Sequence, residues 1–399
     1  MRFARQPVPR LAVKAAVIAA VVAVASCASG PSKVGQAGPA GAGESGTHAG
    51  HSGFSLPPPA PLRTGERFVS LTTPRPYTPH APNGGTDEYR CFLIDPKLTS
   101  PAFLTGSQFQ PQNAAIVHHA IFFRIGAGSA DEARKLDADT PGDGWTCFGD
   151  SGVRGDAAWI ASWAPGANET LLAPDLGYPM QPGSLLVMQV HYNLLATGGK
   201  PGGADQSGIR LRLTDGTTSM KPLETELVAA PVELPCTPAE SGPLCDRAAA
   251  VADVTHRFGV QAGAIVAGLN QRCNPGAPPA AGVTQRCEQQ VPHAATVYAA
   301  AGHMHLLGRS IKIELNPDTP GGRTLLDVPN YNFDDQAIRP LPAPVAVKPG
   351  DTLRVTCTHD AGLRRLLPQL RTVPPRYVVW GDGTSDEMCL GMVIWSPTA

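Results

Sequence analysis

The chain has 399 residues, of which only 16 % are charged, against roughly 25 % in an average soluble protein. Glycine (43) and proline (41) together make up about a fifth of it, which excludes a helical bundle or coiled coil, because both need long stretches free of these residues. Lys+Arg 32 against Asp+Glu 33 leaves a net charge of −1, so there is no basic excess for a phosphate backbone and nucleic acid is excluded as a partner.

Taken in chain order, Arg2, Arg5, Arg10 and Lys14 precede an apolar run over residues 15–25. That run is too short for the roughly 20 residues a membrane-spanning helix needs, but it suits the core of an export signal. Val24-Ala25-Ser26-Cys27 resembles a lipobox. Residues 1–27 therefore read as a lipoprotein-type signal peptide. Cys27 would carry the lipid that is the only membrane contact of an exported protein, held at the periplasmic or extracellular face of the cell envelope. Residues 28–65 are rich in Gly, Ala, Ser and Pro, include Pro57-Pro58-Pro59, and read as a disordered tether. Gly41-x-Gly43-x-x-Gly46 lies in this tether with no strand before it and no helix after it, so it is not a dinucleotide site.

From residue 66 the texture becomes short runs rich in Val, Ile, Leu and aromatics between Gly/Pro turns. Strands are expected at 114–125, 184–193, 208–213, 296–301, 310–315, 352–358, 376–380 and 390–395. The only short helix the pattern predicts is at 131–137. The fold class is therefore all-β, with two tandem antiparallel β-sandwich domains over 66–220 and 221–399, divided where Pro222 interrupts the pattern. Without Cys27, eight cysteines remain, an even number with no CxxC spacing. In an oxidising compartment they read as four disulfides rather than a zinc or redox site.

Four local patterns carry chemistry. Val117-His118-His119-Ala120 lies inside an apolar strand, and Gln189-Val190-His191-Tyr192 ends another. Gly302-His303-Met304-His305 runs into Leu306-Leu307-Gly308, and Asp386-Glu387-Met388-Cys389 precedes the last strand. Alternation puts His303 and His305 on one face of a strand. The adjacent pair His118-His119 reaches one metal only where its strand twists or bulges. His118, His119 and His191 form a nitrogen-only donor set, whereas His303, His305 and Met388 form a softer one. A thioether suits copper(I) better than zinc or iron(II), and no carboxylate joins either set, so copper is the metal expected.

These patterns, in this order, resemble the catalytic core of the copper type II, ascorbate-dependent monooxygenases, a family that includes peptidylglycine α-hydroxylating and dopamine β-hydroxylating enzymes. The resemblance covers residues 66–399. It implies two jelly-roll-like sandwiches facing each other across a solvent cleft, with two coppers per chain. An electron-transfer copper would sit on His118, His119 and His191. The catalytic copper, which meets O2 and substrate, would sit on His303, His305 and Met388. Ascorbate or another one-electron donor is the implied reductant, a small organic molecule the substrate, and a monomer the working form. The resemblance also implies the bridges Cys91–Cys147 and Cys357–Cys389. Cys236, Cys245, Cys273 and Cys287 are left over, and local pairs 236–245 and 273–287 would close short loops.

Three positions depart from the peptide-hydroxylating pattern. The arginine and the asparagine/tyrosine pair that clamp a substrate carboxylate there are Ala301, Leu390 and Met392 here, which disfavours a glycine-extended peptide. His80, His256, His293 and His359 have no spaced partners and read as structural, and Trp145, Trp159 and Trp163 read as packing residues. Gly149-Asp150-Ser151-Gly152 lacks the rest of a serine-protease signature. The competing reading is a non-catalytic copper-binding or electron-transfer lipoprotein, which does not require two unlike sites.

Overall fold

The computed structural model describes residues 56–215 and 219–398. The signal peptide, Cys27 and most of the tether lie outside the described residues. All strand pairings are antiparallel except a two-residue parallel contact between Lys221–Pro222 and Leu176–Met180. No strand before Pro222 pairs with one after Leu223 among the described residues.

In the first half, one sheet runs Glu66–Thr72, Gly208–Thr214, Ala102–Gln110, Leu176–Met180. The second runs Trp145–Thr146, Asp87–Ile94, Leu185–Asn193, Val117–Ile125, Ala157–Trp163. Alternation sorts the residues of Leu185–Asn193: Leu186, Met188, Val190 and Tyr192 fill the core between the sheets with Phe92, Phe109, Phe122 and Leu211. Leu185 and Val187 face the other way, where Ile121, Phe123, Trp145 and the helix Ala130–Asp139 cover the sheet. Gln189 and His191 have the parity of Val187 and continue its row, past the end of that cover.

The second half stacks Glu224–Ala229, Leu390–Pro397, Ala295–His303 and Arg339–Val347 against Thr284–Gln290, Thr352–His359, Gly308–Leu315 and Arg323–Val328. Val297, Val393 and Trp395 meet Ile311, Ile313, Leu353 and Val355 between these sheets. Gly302 and Gly391 face each other in register. A Cβ on Gly302 would lie 2.6 Å from Ile311 Cγ2, and one on Gly391 2.8 Å from Ile313 Cδ1. The close approach of the sheets therefore requires glycine at both positions.

The expected strands are present, 376–380 only as the two-residue Val378–Val379 and 114–125 from Val117 onward, and the one expected helix is Ala130–Asp139. Among the described residues three further α-helices lie outside the strand pattern, the short Leu363–Leu366 and two longer ones. Arg247–Phe258 is capped by Asp246, whose carboxylate accepts from Ala249 N at 2.9 Å. Gly259, at φ 88°, separates it from Val260–Cys273. Their buried faces carry Ala250, Val254 and Phe258, then Ala262, Val266 and Leu269, at three- and four-residue spacing. The alanine-rich composition hid this periodicity.

The described end of the expected tether is also not free. Gln108 Nε2 donates to Pro57 O at 2.9 Å, Ala60 N to Glu169 Oε2 at 2.7 Å, and buried Arg212 to the carbonyls of Ala60 (2.7 Å) and Pro61 (3.1 Å). Residues 57–61 are strapped to the first sheet by backbone groups, which a composition-based reading cannot see.

All eight described-region cysteines are paired: Cys91–Cys147, Cys236–Cys245, Cys273–Cys287 and Cys357–Cys389. Four disulfides belong to an oxidising compartment. Among the described residues no helix is long and apolar enough to cross a membrane.

Candidate metal centre

His191 and His119 are cross-strand neighbours in register, on the same face of their sheet. Simple alternation would send His118 to the opposite face. The pairing of Val117–Ile125 with Leu185–Asn193 slips between Val117 and His119, and this irregularity brings His118 round. The three imidazoles then converge through one type of atom: Nδ1 of His119 lies 3.2 Å from Nδ1 of His118 and 3.3 Å from Nδ1 of His191. Their ligand atoms all lie within 4.8 Å of one another.

For His191 the remaining nitrogen explains why Nδ1 points inward. His191 Nε2 bonds Asp87 Oδ1 at 2.9 Å, and as its N–H donor it leaves the Nδ1 lone pair free. Asp87 also accepts from Thr384 Oγ1 at 2.6 Å and Thr384 N at 3.1 Å. Burial alone would raise the Asp87 carboxyl, but the bonds from His191 and Thr384 outweigh it and keep Asp87 ionised. Burial pushes the His118 and His119 imidazoles well below their usual range and lowers His191 against the pull of Asp87. All three are therefore neutral near pH 7, as a metal ligand must be. Tyr89 stacks on His191 with ring centroids 4.2 Å apart, and its hydroxyl donates to Asp382 O at 2.7 Å.

The second set is held from the other side of each ring. His303 Nδ1 bonds Gln336 Oε1, and His305 Nδ1 lies 3.2 Å from Asp386 O. Donation by both Nδ1–H groups leaves Nε2 as the free nitrogen of each ring, and buried His305 Nε2 has no partner. Burial pushes the His303 imidazole down to about 3. The two rings are 5.1 Å apart. Fully buried Glu387 accepts from His305 N (2.9 Å), Leu307 N (2.5 Å) and Met388 N (3.2 Å), binding the His-x-His loop to the methionine segment. Arg257, on the first unanticipated helix, grips Asp386 with two bonds of 2.8 and 2.7 Å. The Cys357–Cys389 bridge anchors the residue after Met388. His359, read as structural, contacts this segment through Met388 O at 3.3 Å.

The two sets are not separated by a wide solvent gap. The rings of His119 and His303 lie 5.5 Å apart, and Phe333 stacks on His118 at 4.3 Å while meeting His305 edge-on at 6.1 Å. The Asp87–Thr384 bonds tie the halves together beside them. What remains of the expected cleft is a cavity of about 940 Å³, bordered by His119, His303 and Met388. Trp159 and Trp163 line it, whereas Trp145 sits in the core.

The donor types fit copper. Five imidazoles that need no deprotonation at neutral pH lie in two adjoining clusters, three of them backed by Asp87, Gln336 and Asp386 O, and the Met388 thioether borders the same cavity as His303. Asp87, Gln336 and Glu387 were missed from sequence. The first two are remote from the ligands along the chain, and only the Asp386-Glu387 pair beside Met388 gave any local signal.

Residues 261–398 match the family model for the copper type II ascorbate-dependent monooxygenase, C-terminal domain. The match includes His303, His305 and Met388 and ends short of the first donor set. A curated relative, dopamine beta-hydroxylase of Bos taurus, is 32 % identical over 101 residues, which is 25 % of this chain and 15 % of that protein. The chain thus spans less than a sixth of that relative's length. Among solved structures, the major capsid protein P2 of bacteriophage PM2 aligns over 84 % of this chain and 98 % of its own, at 9 % identity and a TM-score of 0.28. Allantoicase aligns over 84 % and 90 %, at 9 % identity and 0.19. Neither likeness carries an argument at such scores. Residues 261–398 are therefore similar to the C-terminal domain of the copper type II ascorbate-dependent monooxygenases, and the residues before them are not part of that match.

Proposed function

We propose that this chain is an exported copper-dependent monooxygenase that hydroxylates a C–H bond of a small organic substrate, using O2 and ascorbate or another one-electron donor. The balance is R–H, O2, two electrons and two protons giving R–OH and water, with two ascorbates each losing one electron. His118, His119 and His191 would hold one copper, and His303, His305 and Met388 the other. When bound, the metal supplies one-electron reduction at the first set and O2 activation at the second.

The chain's own residues prepare both sites. Asp87 fixes His191 with Nδ1 inward, and Gln336 and Asp386 O fix His303 and His305 with Nε2 inward. Glu387 keeps the His-x-His loop against the Met388 segment. The ring contact between His119 and His303 gives an electron a short path between the sets. The sandwich domains would be 66–220 and 221–399, one donor set in each. The signal peptide over 1–27 and the lipid on Cys27 complete the reading as a monomeric envelope lipoprotein.

The observation that carries this proposal is the pairing of unlike donor sets, with the thioether-bearing one bordering a large cavity. A copper store or an electron carrier needs no such cavity. The test is to load the chain from residue 56 onward with copper, count the metal and follow O2 uptake with ascorbate. Two coppers and substrate-stimulated uptake are expected. Uptake indifferent to every added substrate would leave only an ascorbate oxidase or an electron carrier.

A further inference from the structure

The cavity beside Met388 has a definite grain. Leu390, Met392 and Ile394 alternate along one strand face, Met388 lies two residues before that strand begins, and all four border the cavity. At about 6.7 Å per two residues this stripe runs roughly 13 Å from Leu390 to Ile394. The neighbouring strands extend it into a floor. Leu390 is flanked in register by Ala229 and His303, Met392 by Leu227 and Ala301, and Ile394 by Thr225 and Ala299. Trp163, Leu171 and Leu172 line the same cavity from the first half.

Charge is placed elsewhere. Glu169 is committed to Arg212 and Ala60 N. Asp150 accepts from Gly152 N, and its carbonyl from Gln189 Nε2; the carbonyl of Asp382 accepts from Tyr89, so both belong to the three-histidine end. Arg272 is exposed and lies toward Ala229 O at 3.4 Å. The rim is unusually apolar: Leu171, Leu227 and Ile265 border the cavity and are 45 %, 36 % and 36 % exposed, three of the few large apolar side chains on the described surface.

We infer that the substrate is an uncharged, elongated lipophilic molecule, its reacting carbon at the Met388 end and its body along Leu390, Met392 and Ile394. The inference rests on the reading of His303, His305 and Met388 as the oxygen-activating end. A volume of about 940 Å³ lies at the upper end of the roughly 300–1,000 Å³ of drug-sized ligand sites, and burying apolar area there is worth about 25 cal/mol per Å². The floor residues themselves carry no charge, and an ammonium on the substrate finds no acidic partner among them to offset its desolvation; the cation nearest the floor is the exposed Arg272.

Binding can be measured without turnover. The copper-loaded chain, with no ascorbate, is titrated with the neutral fluorescent lipophile N-phenyl-naphthylamine and then challenged with dopamine as a small cation and hippurate as a small anion. Saturable binding of the neutral probe is expected, undisturbed by either competitor at equal concentration. Met392→Lys should weaken it about tenfold by placing an ammonium in the floor. Leu227→Glu, at a partly exposed rim position that tolerates a charge in the fold, should weaken it in the same direction while leaving thermal unfolding unchanged. The inference is overturned by an absence of saturable binding, by affinity unchanged in both variants, or by displacement with dopamine or hippurate. If the probe binds as described but no lipophile ever stimulates O2 uptake, the monooxygenase reading fails while the lipophile site stands.

Discussion

The His118/His119/His191 set is held by strand register, by a stacked tyrosine and by a buried carboxylate, whereas the His303/His305/Met388 set lies at and beyond a strand end; both touch the cavity, through His119 on one side and His303 and Met388 on the other. In the first, the three rings are 8 %, 7 % and 0 % exposed, and Asp87 and Tyr89 leave His191 no freedom to turn. In the second, His303 keeps part of its surface on the cavity, and its neighbours are loops drawn together by Glu387, Arg257 and a disulfide. A site that only passes electrons can be closed; one that must meet a substrate needs an open side. On the proposed function, the partly exposed His303 is the open side of the second set, while the first set only passes electrons.

That contrast can be broken at either site. The largest effect is expected for Met388→Ile, which keeps the apolar volume but removes the sulfur. Turnover should fall by orders of magnitude while copper bound to the three-histidine set persists, checked by metal analysis beside O2 uptake. Next comes Asp87→Asn: losing the carboxylate behind His191 should weaken metal binding at the first set about 10- to 100-fold, with the second set unaffected, by competition against a chelator. Glu387→Gln should lower unfolding free energy by about 1–3 kcal/mol, since a buried acceptor of three backbone N–H groups loses its charge. It should also reduce copper retention at the second set more than at the first. Gly302→Ala should cost about 1–3 kcal/mol through the clash with Ile311, read as a lowered melting temperature with the three-histidine set intact.

The pH dependence follows from burial. His303, pushed down to about 3, stays neutral when folded but takes a proton when unfolded below about 6.5. The unfolded state therefore binds more protons between these values. Stability of the metal-free chain is fully present above pH 6.5 and falls as pH drops toward 3, by up to about 1.4 kcal/mol per pH unit for each such histidine. His118 and His119, lowered in the same direction, steepen the fall. Denaturant midpoints measured across this range on the chelated protein check it, and a flat profile would mean that the rings are solvated.

Much of this was legible in the sequence for a physical reason: strands announce themselves by alternation. The runs around His118, His191 and Met392 were found from their apolar residues, and the short His/Met patterns at their ends stood out against that background. Neighbours on a flat strand point apart, so the adjacent His118-His119 pair itself demands the slip that turns His118 toward His119. What stayed hidden depends on distance along the chain or on backbone groups. Asp87 reaches His191 across 104 positions, and the strap at 57–61 is held through its carbonyls. The helices Arg247–Phe258 and Val260–Cys273 present small alanines on their buried faces, which blurs a 3.6-residue period. Arg257 on the first of them therefore could not be connected to Asp386.

The most direct test of the two-site account is copper X-ray absorption on the ascorbate-reduced, fully loaded chain, compared with Met388→Ile. The account expects imidazole nitrogen around all the copper and a sulfur scatterer on about half of it, with that sulfur lost in the variant. No sulfur signal in the parent protein, or an unchanged one in Met388→Ile, would contradict it.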